Sequence, residues 1–134
     1  MKPRGFSLIE LLIVLTLMAL AATLVGPATI NQVEKAEARA ELNQLKSILR
    51  KTSSVAFTRG GDVALRVYNN ELVLLDLTKE PISTQSHSFK FIGFPEEQMV
   101  AFNRNGYPDP ESLIIVFRGA RKEINLFRLV EATE

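Results

Sequence analysis

One carboxylate stands where hydrocarbon is expected. Glu10 lies near the start of an apolar run, Gly5 to Val25, that is about as long as a bilayer is thick. Holding a charged side chain in hydrocarbon costs roughly 2.5–3.5 kcal/mol at a helix centre and somewhat less near an end, so an intramembrane Glu needs a partner. A bare anchor has no use for it. Snorkelling toward headgroups is the plain reading, and a specific cation is the sharper one.

Little else in the chain is equipped for chemistry. Its 134 residues include no Cys, no Trp and one His, with a formal net charge of +1. That excludes disulfides, thiolate catalysis and zinc–thiolate sites, and it supplies triads and metal clusters poorly. His87 lies between Ser86 and Ser88 with no second His, and Asp62, Asp76 and Asp109 are scattered, so no metal or cofactor is expected. Arg118, Arg121, Lys122 and Arg128 form a local basic cluster that suits DNA. From Ser53 onward, however, nine Lys and Arg face eleven Asp and Glu. The cluster therefore reads first as a solvated hairpin, and nucleic acid as the lesser partner.

The elements that position these residues follow in order. Lys2 and Arg4 precede the apolar run, and positive charge beside a single span holds that end in the cytoplasm. A cleaved secretory signal is the rival for this segment, with Ala19, Ala21 and Ala22 as a small-residue site, but Glu10 interrupts its h-region. The run is expected to be helical, since backbone groups in lipid must be satisfied within the segment. Gly26-Pro27 marks its outer end and predicts a bend or local melting. Beyond it the pattern is amphipathic, with Ile30, Val33, Ala38, Leu42, Leu45, Ile48 and Leu49 recurring at helical spacing. Phe6 to Thr52 thus reads as one helix of about 70 Å.

After Ser53-Ser54 the period becomes two. Val63 to Val67 and Glu71 to Leu77 flank Asn69-Asn70 and predict a tight hairpin. Thr78 to Ser86, with Pro81, reads as a loop. Strands are expected at Phe89 to Ile92, Gln98 to Asn103, Leu113 to Phe117 and Glu123 to Val130. A turn is expected at Asn105-Gly106, and a hairpin at Arg118 to Lys122. The fold class expected is α+β: a long helix whose outer half is covered by a small antiparallel β domain.

The residues Lys2-Pro3-Arg4-Gly5-Phe6-Ser7-Leu8-Ile9-Glu10-Leu11-Leu12-Ile13-Val14-Leu15 closely resemble the prepilin signature of the type IV pilin and pseudopilin superfamily. The likeness covers the first thirty residues or so and includes Pro27 at the place where such helices often bend. It implies that a prepilin peptidase cuts between Gly5 and Phe6, methylates the new amine of Phe6, and leaves the apolar run in place. Glu10 would then have a cation to meet, either the Phe6 amine of its own chain or that of a neighbouring subunit, and the resemblance favours the neighbour. It also implies a division into a leader at 1–5, a transmembrane and filament-core helix at 6–26, an amphipathic outer half at 27–53 and a periplasmic β domain at 54–134.

The run Phe102 to Pro108, followed by Leu113 to Phe117, looks like the closing strands of H-class minor pseudopilins. The implied activity is assembly, without catalysis. The subunit would join a type II secretion pseudopilus or a related type IV filament, with other pilins, the peptidase, an inner-membrane platform and membrane lipid as partners. A minor pilin of pilus assembly or DNA uptake is the alternative.

Overall fold

A computed structural model describes residues 5–77 and 83–132. The chain divides into two compact units, one ending at Glu37 and the other beginning at Ala38. A single helix, α1 (Leu8–Arg59), contributes to both.

In the first unit, Gly5 to Ser7 lie outside the helix, and α1 then continues through Gly26 and Pro27 without a break in its assignment. The local melting expected there is therefore not observed. Thr23 and Thr29, on either side of the proline, turn their hydroxyls onto the carbonyls of Leu20 and Val25, at 2.7 Å each, and Thr16 does the same to Leu12. Their polar atoms are thus satisfied inside the helix, as an apolar medium requires. Every described side chain from Phe6 to Gly26 is exposed, and the segment is long and apolar enough to cross a membrane.

The second unit begins with the buried stripe of α1. Ala38, Leu45, Leu49, Thr52, Ser53 and Ala56 are buried, and Leu42, Ile48 and Val55 pack beside them. The helix runs seven residues past the expected end at Thr52, and its hydroxyl residues there are satisfied by backbone carbonyls, two within the helix and one across the fold. Thr52 donates to the carbonyl of Ile48 at 2.8 Å, Thr58 donates to Ser54 at 2.7 Å, and buried Ser53 donates to the carbonyl of Gly106 at 2.6 Å. Termination comes at Gly60, whose φ of +60° is the left-handed conformation favoured just past a helix.

Seven antiparallel strands follow: β1 (Val63–Asn69), β2 (Glu71–Asp76), β3 (Ser83–Ser88), β4 (Ile92–Phe102), β5 (Pro108–Asp109), β6 (Ser112–Phe117) and β7 (Ala120–Asn125). The order is β3-β2-β1-β4-β6-β7, with β5 paired to β4. The inner faces of these strands and the α1 stripe share one core that includes Phe102, Leu65, Leu72, Ile92, Leu113 and Ile115. The two expected hairpins form. Tyr68 pairs with Glu71 around Asn69-Asn70, and Phe117 pairs with Ala120 around Arg118-Gly119, both of which have positive φ as a two-residue hairpin turn prefers.

Several expectations are corrected. Residues 83–88 form β3 where a loop was expected through Ser86. The apolar residues Leu72 and Leu74 of β2 draw this polar segment into register opposite His87 and Gln85. Residues 78–82 of that expected loop lie outside the described residues. Phe89 to Phe91 are a connector and not a strand: Glu41 of α1 accepts the backbone N–H groups of Lys90 and Phe91 at 2.6 Å each.

Of the strand expected before Pro95 only Ile92 is in a strand, β4, which runs on through Pro95 and takes in Gln98 to Phe102 of the next. Its pairing with β1 shifts register between Val67 and Asn69, and the shift leaves room for a residue without an N–H. Rungs between β4 and β6 occur only at Ile92 and Gly93. Further along, the Gln98 amide takes over, donating to the Ile114 carbonyl at 2.8 Å and accepting its N–H at 2.9 Å. The last expected strand is half strand and half helix. Asn125 accepts the N–H of Arg128 at 2.8 Å and caps α2 (Leu126–Glu131).

Candidate functional site

The candidate processing residues Gly5 and Phe6 precede α1, and the candidate assembly residue Glu10 lies in its first turn. At Gly5 the backbone has no left-handed φ, and an added Cβ would meet nothing within 4 Å. The fold itself therefore places no demand for glycine there. Phe6 is 83% exposed on non-helical backbone, so the Gly5–Phe6 peptide precedes the helix.

Glu10 is engaged within the chain. Its backbone N–H donates to Ser7 Oγ at 3.3 Å, and its Oε2 accepts the Ser7 N–H at 3.4 Å. This is a capping box, in which two helix-end donors are satisfied reciprocally. A carboxylate in the first turn also suits the positive end of the helix dipole. The Ser-x-x-Glu spacing before an apolar run is the readable sequence signal of this box. Gly26 and Pro27 lie farther along the same helix, and at Gly26 a Cβ would again meet nothing within 4 Å.

The basic residues belong to the second unit. Arg118 sits in the β6–β7 turn, and Arg121 and Lys122 are consecutive in β7, so their side chains leave opposite faces of the sheet. Lys122 lies 5.0 Å from the Phe117 ring centroid, and Arg128 is exposed on α2. Arg121 and Lys122 thus do not share one face. His87 packs edge-on to Phe89 at 4.8 Å. Among the described residues, no three His, Cys, Asp or Glu are grouped to hold a metal ion.

On the outer sheet face, Arg66 meets Glu97 at 2.5 Å, and Tyr68 donates to Glu71 at 2.7 Å. The bond to Glu71 and its negative charge hold the Tyr68 phenol above its ordinary pKa, and the bond to Glu97 and its charge do the same for the Arg66 guanidinium. These exposed pairs bear on the surface of the β domain and are remote in sequence from the leader.

Residues 1–26 match a family model described as the prokaryotic N-terminal methylation motif. No curated protein and no solved structure matches the chain significantly. The matched stretch contains Gly5, Phe6, Ser7 and Glu10, and it points to a structural subunit rather than an enzyme. The methylation motif thus heads a long helix that packs on a small antiparallel sheet, an α+β arrangement similar to that of type IV pilins and pseudopilins.

Proposed function

We propose that the chain is a minor pseudopilin or minor pilin, a non-enzymatic subunit of a type II secretion pseudopilus or a related type IV filament. It enters the inner membrane with its N-terminus in the cytoplasm and residues from about 54 onward in the periplasm. A prepilin peptidase cuts between Gly5 and Phe6 and methylates the Phe6 amine. The helix of residues 6–26 then leaves lipid for the filament core, assisted by an inner-membrane platform and bending near Gly26-Pro27. The observation that carries this reading is Glu10, placed in the first turn of an exposed apolar helix inside the methylation motif.

Cleavage supplies a cation for Glu10. The new amine is one residue before Ser7, whose N–H already meets the Glu10 carboxylate at 3.4 Å. The same carboxylate can therefore be held by its own chain while in lipid and exchange to a neighbour's amine in the fibre, where a dry surrounding strengthens the pair.

The experiment combines Glu10→Val with Gly5→Leu in the membrane-inserted chain. Glu10→Val is expected to insert and be cut yet fail to enter the fibre, whereas Gly5→Leu is expected to retain the five-residue leader and leave Phe6 unmethylated by mass spectrometry. Normal assembly of Glu10→Val removes the proposed role. DNA uptake is the alternative, and salt-dependent DNA binding lost on neutralising Arg118, Arg121 and Lys122 would favour it.

A further inference from the structure

The sheet treats its two edges differently. The strand β7 carries Arg121, Lys122 and Glu123, charges of the kind that discourage another strand from docking. The opposite edge, β3, reads Ser-Thr-Gln-Ser-His-Ser and has no Lys, Arg, Asp, Glu or Pro. Thr84, Gln85, Ser86 and Ser88 are exposed.

The backbone of β3 can be assigned rung by rung. Phe89 donates its N–H to the Asn70 carbonyl at 2.8 Å, which makes 70–89 a hydrogen-bonded pair. Alternation along the antiparallel ladder then makes Leu72–His87 and Leu74–Gln85 hydrogen-bonded pairs, and Val73–Ser86, Leu75–Thr84 and Glu71–Ser88 the intervening ones. Thr84, Ser86 and Ser88 therefore direct their N–H and C=O groups away from β2. Among the described residues, that edge has no strand neighbour.

A groove of about 280 Å³ lies between α1 and the β2–β3 margin, with Ile48, Val55, Leu72 and Leu74 as apolar walls. Among the described residues, Lys51 is the one Lys, Arg, Asp or Glu in its lining. The groove is adjoined by a second hollow that shares Lys51 and Val55 and reaches Arg59 and Asp76. Those two side chains already pair with each other at 2.8 Å, whereas Lys51 is in no ion pair among the described residues.

We infer that β3 receives an extended strand from another polypeptide, one that alternates apolar and polar residues and carries a carboxylate for Lys51. Backbone groups spaced two residues apart are what an added strand pairs with, and a hollow beside them accepts alternate side chains. An acidic strand matches the charge that Lys51 brings to the groove. A basic strand would be repelled by it.

The test uses the full chain in detergent micelles with a fluorescein-labelled octapeptide of alternating valine and threonine, carrying one central glutamate or, for comparison, one central lysine. Saturable binding by anisotropy is expected, with the glutamate peptide at least tenfold tighter. Ser86→Pro removes an outward N–H without removing a rung to β2, and it is expected to weaken binding at least tenfold. Lys51→Glu is expected to reverse the peptide preference. Absence of saturable binding overturns the inference, as does binding indifferent to Lys51→Glu.

Amide exchange in the unmodified chain decides the matter if Ser86→Pro unsettles β3. Fast exchange at Thr84, Ser86 and Ser88, slowed by saturating peptide, supports the added strand. Protection already present without peptide, or unchanged by it, overturns it.

Discussion

The two parts of α1 are held helical by different means. From Ala38 to Arg59, the helix is fixed by what it touches. Leu45 and Leu49 are buried in the core, Ser53 is bonded to the Gly106 carbonyl, and Glu41 holds two backbone N–H groups of the β3–β4 connector. From Leu8 to Glu37, no described side chain is buried, and order comes from the ladder itself, from a capping box at Ser7 and Glu10, and from threonine hydroxyls folded back onto carbonyls. A helix closed on a core has spent its apolar surface. One whose capping donors and threonine hydroxyls are satisfied internally keeps its apolar surface for lipid or for other helices.

The sharpest way to break this contrast is to truncate equivalent apolar residues. Phe102→Ala in the β domain core is expected to cost about 3–5 kcal/mol, whereas Leu15→Ala in the span should leave the domain's unfolding midpoint within about 0.5 kcal/mol equivalents. Urea titration of the detergent-solubilised chain, followed by circular dichroism in the strand region, reads both. Equal losses would mean that the exposed segment packs on the domain after all.

Glycine gives a smaller and opposite pair. An alanine at Gly106 would be strained by its φ of +78° and would place Cβ 2.9 Å from the Ser53 carbonyl oxygen and Oγ. Gly106→Ala should therefore destabilise the domain by about 1–3 kcal/mol. Gly26→Ala meets nothing within 4 Å, and it should stabilise the helix by up to about 1 kcal/mol. Thermal melts of the two variants are expected to move in opposite directions.

The smallest effect is on pH dependence. The folded chain holds the Tyr68 phenol above its ordinary value through Glu71. The neutral form is therefore favoured in the native state. The resulting stability is present below about pH 10 and is lost as pH rises through the raised value. Absorbance titration near 295 nm should show one tyrosine ionising late, and Glu71→Gln should bring it down.

The elements most legible from sequence were those whose local chemistry and burial agreed. Asn69-Asn70 and Arg118-Gly119 supply the backbone conformations their hairpins need, and Leu113 to Phe117 is a strand by composition alone. The edge strand β3 was hidden because an edge needs no apolar alternation when its partner supplies the burial. In β4, Pro95 looked like a boundary, yet a register shift with β1 accommodates it. The stop of α1 lies at Gly60 rather than at Ser53-Ser54, and Asn125 starts α2 inside a segment whose apolar residues resemble a strand. At the N-terminus the methylation motif is legible because it is contiguous. The bond between Glu10 and Ser7 follows the Ser-x-x-Glu spacing of a capping box.

Gln98 leaves one last consequence. Where the ladder between β4 and β6 has lapsed, this side chain reproduces the two bonds of a missing backbone rung. The sheet is therefore stitched from two ribbons, and beyond Gly93 the thread across that stretch is a single amide. A residue of the same size without that amide would leave the Ile114 N–H and C=O unmatched, and the domain would be weakest along that line.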